Sequence, residues 1–292
     1  MKLKRIKKIG IIAFKPKPHV VEALKRFHEW SMDKGLNVFY HTEAPDYKYF
    51  AKKPVARAGD KVLAGMDLIL TFGGDGTLLS AARKVHTKGT PIAGINVGGL
   101  GFLTVITTEQ FEKTLDRIIS GRAVIEERMM LDVAVYRRGK EVWRNIALNE
   151  VVVSKLGTVK LLSLSTWSGS SYISRFWADG LMVATPTGSS AYSLAAGGPL
   201  MYPTLNAVVL TPVCPHALTE RPMILPADKD LRMIVEEKRP PSMVTVDGKD
   251  LYRTAAGDEI VVRRSKYKTH LVKLTGGNHF DTLRNKLGWS KK

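Results

Sequence analysis

Short apolar runs alternate with amphipathic segments along the first 120 residues, and this alternation limits the fold more than any other feature of the sequence. Continuous apolar runs of this length are typical of buried strands, and amphipathic segments are typical of helices that pack against them. The alternation therefore predicts βαβ units and a parallel sheet. The predicted strands are residues 7–14, 36–41, 66–72 and 90–98.

The segments between these strands carry apolar residues at helical spacing. Val20, Leu24 and Phe27 fall on one face of the first, and Gly35 is placed to end that helix. The last segment has an apolar face made of Phe111, Leu115, Ile118 and Ile119. We predict helices at 19–35, 77–86 and 109–121, and a polar connection at 43–54.

From about Arg122 the apolar period changes to alternation, and β-branched and aromatic residues become frequent. Residues 128–154 predict two strands joined at Arg138-Gly139-Lys140. One helix candidate, residues 188–198, interrupts this β-rich region. Later strands are predicted at 206–212, 230–237, 243–249 and 258–264.

A chain of 292 residues can hold two domains of ordinary size. The change of period near residue 122 places the boundary between them. We predict an α/β domain at 1–121 and a β-rich domain at 122–271. The pattern by itself leaves the last segment, 272–292, unassigned.

The sequence carries an excess of positive charge. Its 45 Lys and Arg residues against 27 Asp and Glu give a formal net charge of +18, which favours anionic partners such as nucleotides or nucleic acid. The basic residues are scattered, so the alternative is a solvated surface that keeps the protein soluble. Charge alone does not choose between these interpretations.

Cysteine content and hydropathy favour a cytoplasmic protein. Cys214 is the single cysteine, which excludes an intrachain disulfide framework and fits a reducing cytoplasm. The apolar run at residues 9–14 is too short for the apolar region of a secretory signal. No run of about 18 apolar residues occurs, so we expect no membrane span.

The third predicted strand passes through Gly73-Gly74-Asp75-Gly76-Thr77 directly into a helix. Ligands of parallel sheets bind at the carboxyl ends of the strands, where glycines let a phosphate approach backbone N–H groups. A carboxylate there is repelled by phosphate unless it orients a metal or accepts a proton from an attacking hydroxyl. This favours phosphoryl transfer. The alternative is a tight turn in which Asp75 caps the helix.

A second glycine-rich cluster, residues 96–103, follows the next predicted strand. In a right-handed parallel sheet this cluster lies at the same edge as Asp75. The two loops could therefore face one ligand. The alternative is a turn in which Leu100, Phe102 and Leu103 pack.

Asn149 and Glu150 interrupt an otherwise apolar strand of the β-rich region. Buried polar groups need partners, and a ribose or a base could supply them. The alternative is a Glu150 side chain that reaches solvent on the polar face of the strand.

Residues 178–198 contain a dense group of small and polar side chains. Pro186 fixes the backbone, and Thr187 is suited to cap a short helix. The N–H groups of residues 188–190 could hold an anionic or amide-bearing ligand, and Tyr192 could stack on a base. The alternative is a strand–turn–helix corner with small residues for close packing.

Four motifs, in this order and at this spacing, resemble the NAD kinase family. They are GGDGT, N-x-G-x-LGFL from Asn96, LNEVVV from Leu148, and the block from Asp179 to Pro199 that contains PTGSSAY. The resemblance runs from about residue 68 to 200, with a looser echo at 247–249. Diacylglycerol kinases, sphingosine kinases and, more distantly, phosphofructokinases resemble the chain at GGDGT alone.

In that family, the enzyme transfers a phosphoryl group from ATP, or in some members inorganic polyphosphate, to the 2′-hydroxyl of the adenosine ribose of NAD. The product is NADP, and a divalent metal, usually Mg²⁺, is required. The resemblance implies that Asp75 accepts the proton of that hydroxyl. It implies nucleotide-binding roles for Gly74, Gly76, Asn149, Glu150, Asp179, Thr187, Ser190, Ala191 and Tyr192, and it names no metal ligand.

The sequence departs from the family pattern at two positions. Two residues before Asp179 the family often has a basic residue, where this chain has Trp177; Arg175 is the basic residue nearby, and we include it as nucleotide-binding. After the Asp247-Gly248 pair the family commonly has glutamine, where this chain has Lys249, which we also include.

The resemblance also implies an architecture. It predicts an amino-terminal Rossmann-like α/β domain with a parallel sheet and a carboxy-terminal β-sandwich-like domain, with residues 272–292 returning to the first. Family members are dimers or tetramers in which neighbouring subunits contribute to the nucleotide site. We therefore expect a homodimer or homotetramer.

Two other functions fit part of the sequence. A lipid or other small-molecule kinase would share GGDGT, but it has no need of LNEVVV or PTGSSAY. A basic nucleic-acid-binding protein would show a clustered basic stripe, whereas Lys and Arg here are scattered apart from short groups such as Arg263-Arg264. We expect NAD and ATP or polyphosphate as ligands, and no nucleic acid.

Overall fold

The computed structural model describes residues 5–14, 17–43, 56–99, 101–104, 106–157, 160–236, 241–274 and 278–289. The predicted polar connection at 43–54, apart from Glu43, and the predicted packing of Leu100 lie outside these ranges. The chain divides into a first unit, Met1–Glu127 with Thr269–Lys292, and a second unit, Arg128–Lys268.

The first unit alternates strands and helices, as predicted. Its strands all pair in parallel, in the order β3-β2-β1-β4-β5, and β6 also pairs with β5. Its elements are β1 (Lys8–Ile12), α1 (Pro18–Asp33), β2 (Asn37–His41), β3 (Ala56–Ala58), α2 (Asp60–Leu63), β4 (Leu68–Gly73), α3 (Asp75–Val85), β5 (Ile92–Asn96), β6 (Ile106–Thr107) and α4 (Phe111–Ile119).

The helical faces predicted for α1 and α4 form the core of the first unit. Val20, Leu24 and Phe27 of α1 are buried in one cluster with strand residues of the sheet. Phe111, Leu115 and Ile118 of α4 join the same cluster, and Ile119 is partly buried against it. Gly35 has φ +64 just beyond α1, the left-handed conformation in which glycine ends a helix.

The second unit consists of two sheets, as the change of apolar period predicts. One has the order β14-β13-β12-β9-β16-β17; the other runs β11-β10-β15-β18, and β18 also pairs with β7, which pairs with β8. The elements are β7 (Ala123–Arg137), β8 (Lys140–Ala147), β9 (Glu150–Lys155), β10 (Leu162–Ser168), β11 (Ser171–Ala178), β12 (Gly180–Ala184), α5 (Tyr192–Ala195), β13 (Ala207–Val213), β14 (Met223–Pro226), β15 (Leu231–Val235), β16 (Ser242–Val246), β17 (Lys249–Thr254) and β18 (Glu259–Leu274).

Alternate residues of both sheets contribute to one core. Val151 and Val153 of β9, for example, pack in the same cluster as Met233 and Val235 of β15. Period-2 burial on two facing sheets is the arrangement of a β-sandwich. The predicted turn at Arg138-Gly139 joins β7 to β8, and both residues have positive φ.

The chain returns to the first unit near its end. Leu271, in the last part of β18, pairs in parallel with Ile92 of β5, and α6 (His279–Leu287) follows. Asn278 caps this helix by accepting a hydrogen bond from the backbone N–H of Asp281 at 2.8 Å. No helix in the described part of the chain is long and apolar enough to cross a membrane.

Candidate functional site

The carboxylate of Asp75 joins the two glycine-rich loops of the first unit. Its Oδ1 accepts hydrogen bonds from the backbone N–H of Leu103 (3.1 Å) and from the N–H and hydroxyl of Thr104 (both 3.0 Å). Its Oδ2 accepts the N–H of Phe102 at 2.8 Å. Asp75 is the first residue of α3, where the helix dipole also favours a negative charge.

This arrangement follows from the register of the sheet. Gly73, at the end of β4, pairs with Asn96, at the end of β5, so the loops after these strands begin side by side. The prediction that both lie at one edge is therefore confirmed. The alternative role for Asp75, capping α3, is wrong, since Gly74 is the N-cap and no side-chain cap bond is made there.

Asn96 fixes the shape of the second loop. Its Nδ2 donates to the carbonyl of Gly99 at 3.0 Å and to Oγ1 and the carbonyl of Thr104 at 3.1 and 3.3 Å. Its Oδ1 accepts the N–H of Gly98 at 2.9 Å. Asn96 and Thr104 are both buried. The hydrogen bonds of Asn96 therefore fix the backbone whose N–H groups point to Asp75.

The glycines of the two loops fall into two kinds. A Cβ on Gly101 would lie 2.0 Å from Oδ1 of Asp75 and 2.3 Å from Oγ1 of Thr104, so packing requires glycine there. A Cβ on Gly74 or Gly76 would have no described atom within 4 Å, and neither residue has positive φ. The fold therefore does not require glycine at 74 and 76, and the space beside them is open to a ligand.

In the second unit, Asp247 organises the Asn149-Glu150 segment. Its carboxylate accepts the backbone N–H groups of Leu148, Asn149 and Glu150 at 3.1, 2.7 and 3.3 Å. Asp247 and Gly248 have φ +48 and +66, the left-handed pair that a two-residue hairpin turn needs between β16 and β17. In the sequence this pair is only a loose match to the family pattern, and nothing in it predicts the contact with Asn149.

Asn149 and Glu150 are both buried, so the alternative in which Glu150 reaches solvent is wrong. Burial raises the pKa of Glu150 to about 8, and the nearby charge of Asp247 contributes to the rise. Oδ1 of Asn149 and Oε2 of Glu150 have no hydrogen-bond partner among the described residues. Buried acceptors left unpaired are costly, and a bound ligand with hydroxyl or amino groups would satisfy them.

Thr187 stands at the N-cap position of the 3₁₀ turn after β12, as predicted, but its side chain makes no capping hydrogen bond. Thr185 Oγ1 accepts the N–H of Gly188 at 3.0 Å and donates to the carbonyl of Leu148 at 2.6 Å. Thr187 has helical φ and ψ of −64° and −45°, whereas a cap residue needs an extended backbone. Thr187 Oγ1 instead accepts from Nη1 of Arg128 at 3.2 Å.

The expectation of free N–H groups in this turn is partly wrong. The N–H groups of Gly188 and Ser189 bond to Thr185, through its hydroxyl and its carbonyl. The helix candidate at 188–198 is reduced to a 3₁₀ turn and the four-residue α5. The turn presents Ser190 and Ala191, both half-buried, and the exposed ring of Tyr192.

This turn packs directly on the Asn149-Glu150 segment. A Cβ on Gly188 would lie 2.2 Å from the carbonyl oxygen of Asn149, so only glycine allows the approach. Glu150, at the start of β9, pairs with Ala184, at the end of β12. The structure therefore brings together Asn149, Glu150 and the segment from Thr187 to Tyr192. Lys249 is exposed and begins β17, immediately after the Asp247-Gly248 turn.

Asp179 lies at the other end of β12. Its carboxylate pairs with Nζ of Lys155 at 2.5 Å, and the next residue, Gly180, pairs with Ser154 near the end of β9. Asp179 lies five positions before Ala184, roughly 16 Å along a strand. Arg175 and Trp177 are exposed on the adjoining β11. Within one chain, the pairing of β9 with β12 therefore keeps Asp179 away from the Asn149 end of the sheet.

The described residues contain no group of three or more His, Cys, Asp or Glu side chains placed to hold a metal ion. Asp75 is the only acidic side chain among the predicted catalytic and glycine-loop residues of the first unit. Mg²⁺ commonly binds through one or two carboxylates together with substrate phosphates, keeping several waters. The site therefore fits a metal that arrives with a phosphate ligand rather than one held by a protein cage.

Comparison with known proteins places the chain in one family. Two family models match the sequence, the ATP-NAD kinase N-terminal domain at residues 9–123 and the ATP-NAD kinase C-terminal domain at residues 148–274. The NAD kinase of Geotalea daltonii is 36% identical over 290 residues, which cover 98% of this chain and 100% of that relative. The NAD kinase of Acetivibrio thermocellus is 40% identical over 229 residues, which cover 78% of this chain and 79% of that relative.

Solved structures agree with the sequence matches. Yeast NADH kinase complexed with NADH matches with a TM-score of 0.90 at 25% identity, covering 99% of this chain and 89% of that chain. An NAD kinase from Archaeoglobus fulgidus in complex with ATP has a TM-score of 0.73 at 24% identity, covering 96% and 97% of the two chains, and shows likeness of fold. The predicted family and fold class are confirmed: this chain belongs to the NAD kinase family.

Proposed function

We propose that this chain transfers the terminal phosphoryl group of ATP to the 2′-hydroxyl of the adenosine ribose of NAD, giving NADP. The observation that carries the proposal is the carboxylate of Asp75, held at the end of β4 beside the open backbone of Gly74 and Gly76. Inorganic polyphosphate is the alternative donor, because its terminal phosphoryl group presents the same chemistry.

Asp75 takes the proton of the attacking hydroxyl. The hydroxyl oxygen bonds to the terminal phosphorus of ATP, the bond to the bridging oxygen breaks, ADP leaves, and the hydroxyl proton passes to the carboxylate. Four hydrogen bonds from residues 102–104 hold this carboxylate in one orientation. Positioning of this kind supplies a large part of the catalysis of phosphoryl transfer.

Gly74 and Gly76 let the phosphates approach the first turn of α3. The open space at both positions supports this role, and the first backbone N–H groups of a helix attract phosphate oxygens. A divalent metal, Mg²⁺ in this proposal, would enter on the donor's phosphates and would neutralise the charge that develops during transfer.

The second unit binds the dinucleotide. Oδ1 of Asn149 and Oε2 of Glu150 are buried acceptors without described partners, and the ribose hydroxyls and adenine amino group of NAD are donors of the required kind. Thr187, Ser190 and Ala191 line the same end of the sheet, and the exposed ring of Tyr192 stacks on the adenine.

Asp179 and Arg175 reach the dinucleotide of a neighbouring subunit. Asp179 lies at the end of its sheet opposite Asn149, and Arg175 precedes it on β11, a strand of the other sheet. A second copy of the chain would bring both to the same NAD molecule. We therefore propose a homo-oligomer, a dimer or a tetramer, as the active form. Lys249 follows the turn that holds Asn149 and adds a positive charge near that end of the unit.

The test is to mix the purified protein with NAD and Mg²⁺, and with either ATP or polyphosphate, and to detect NADP with an NADP-specific dehydrogenase. The proposal predicts NADP formation with ATP. If NADP forms with polyphosphate and not with ATP, polyphosphate is the phosphoryl donor. A folded protein that binds NAD and forms no NADP with either donor would contradict the proposal.

A further inference from the structure

We propose that Thr104 is a positioning residue for phosphoryl transfer, which holds the carboxylate of Asp75 so that Oδ2 faces the attacking hydroxyl. This inference rests on the proposed role of Asp75 as proton acceptor. It assigns a role to a side chain outside the four motifs that identify the family.

The two oxygens of Asp75 are occupied unequally. Oδ1 accepts three hydrogen bonds, from the N–H of Leu103 and from the N–H and hydroxyl of Thr104. Oδ2 accepts one, from the N–H of Phe102. A carboxylate oxygen offers about two lone-pair sites, so Oδ1 is saturated by the described donors. Oδ2 keeps capacity for a substrate hydroxyl.

The hydroxyl of Thr104 has one direction in which to donate. Its Oγ1 lies 3.1 Å from Nδ2 of Asn96, an amide group that can only donate. Because that contact occupies a lone pair of Oγ1, the hydroxyl hydrogen is directed to Asp75, 3.0 Å away. Asn96 thus orients Thr104, and Thr104 orients Asp75.

The side chain of Thr104 cannot turn away from this contact. Thr104 is fully buried, and a Cβ on Gly94 would lie 2.7 Å from the methyl carbon of Thr104. The absence of a side chain at Gly94 therefore makes room for this methyl group, which fixes the rotamer. Tilting the Asp75 carboxylate out of this plane would break the hydrogen bonds from the loop.

The test compares variants that keep or remove the hydroxyl. Thr104→Val removes it at nearly constant volume, and Thr104→Ser retains it. We expect Thr104→Val to lower kcat for NADP formation about tenfold, with KM for NAD changed less than about threefold, because a misdirected base slows the chemical step. Thr104→Ser is expected to keep kcat within about twofold.

Thr71→Val is the matched control. Thr71 is a fully buried threonine of β4, in the same unit, whose Oγ1 has no hydrogen-bond partner among the described residues. The substitution removes a buried hydroxyl without touching Asp75, so kcat is expected to stay within about twofold of the original. If valine at 104 prevents folding, Thr104→Ala removes the hydroxyl without adding a methyl group and serves in its place.

A double-mutant cycle with Asp75→Asn separates positioning from a general effect on structure. If Thr104 acts through Asp75, Thr104→Val lowers kcat less than about twofold once Asp75 is replaced. An equal tenfold loss in both backgrounds, or an unchanged kcat in Thr104→Val alone, would overturn the inference. No NADP from the unsubstituted protein, or full activity in Asp75→Asn, would overturn the proposed function itself and this inference with it.

Discussion

Thr104 donates two hydrogen bonds to the same oxygen of Asp75, one from its backbone N–H and one from its hydroxyl, each at 3.0 Å. The loop after β5 therefore ties the start of α3 to the end of β5 and also sets the orientation of the proposed proton acceptor. Substitutions that disturb these hydrogen bonds should change turnover and stability together, whereas substitutions facing the open side of Asp75 should change turnover alone.

Gly101→Ala tests whether this loop holds the carboxylate of Asp75 in place. The added methyl group would lie 2.0 Å from Oδ1 of Asp75, so the carboxylate or the loop must move. We expect kcat to fall at least about tenfold, and the free energy of unfolding to fall by about 1–3 kcal/mol, the usual cost of overpacking. Gly99→Ala is the control, because a Cβ there meets no described atom within 4 Å. Equal effects of the two substitutions on kcat would show that the loop does not orient Asp75.

Gly76→Ala tests whether glycine in the first turn of α3 serves a ligand. Alanine meets no described atom there and favours a helix by up to about 1 kcal/mol over glycine. Thermal unfolding should therefore shift upward or stay unchanged, while kcat/KM for NAD falls about tenfold because the methyl group occupies the approach of the substrate. A stable variant with unchanged kcat/KM would show that no ligand approaches Gly76 closely.

Glu150 should make stability depend on pH. Its pKa is raised from 4.5 to about 8 in the folded protein, so between these values the folded state keeps a proton that the unfolded state loses. The unfolded state then binds fewer protons, and the free energy of unfolding falls as pH rises through this window. Above about pH 8 the loss is complete.

Glu150→Gln removes this titration and measures its size. The stability of the variant relative to the original should increase from about pH 4.5 to 8, by a few kcal/mol in total, since one pKa unit corresponds to about 1.4 kcal/mol. Denaturant unfolding at several pH values checks this, with the exposed Glu236→Gln as the control for removing one carboxylate. A difference that stays constant with pH would show that Glu150 ionises normally.

Mixed oligomers test the proposal that two subunits build one dinucleotide site. Glu150→Ala and Asp179→Ala should each raise KM for NAD at least about tenfold when assayed alone, by loss of direct substrate contacts. When the two variants are co-expressed, random pairing makes half of the dimers mixed, and each mixed dimer has one intact site of its two. About a quarter of the original activity should therefore return. Verified mixed dimers without recovery would place both residues in the same chain's site or outside it.

Local pattern predicted much of the fold. The spacing of Val20, Leu24 and Phe27 identified the buried face of α1, and the glycine at 35 marked its end. Both are short-range effects of backbone geometry and apolar burial. The short elements β3 and α2 were not predicted, because they are three and four residues long and too short to show a period.

Contacts between distant segments were outside the reach of local pattern. Asp247 bonds to Asn149 across 98 positions of the chain, and Thr104 bonds to Asp75 across 29. The hydroxyl of Thr185, just beyond β12, accepts the N–H of Gly188 in place of Thr187 and also donates to the carbonyl of Leu148. The separation of Asp179 from Asn149 depends on the pairing of β9 with β12, which the sequence did not reveal.

The rate of NADP formation by Asp75→Asn, compared with the unsubstituted protein, tests the central claim most directly. Asparagine keeps the size but cannot take up the proton, so kcat should fall by roughly 10²-fold or more. Its Nδ2 also cannot accept the N–H of a loop residue, so stability should fall by about 1–3 kcal/mol; circular dichroism verifies that the variant is folded. A folded variant with nearly full activity would contradict the role of Asp75 as proton acceptor.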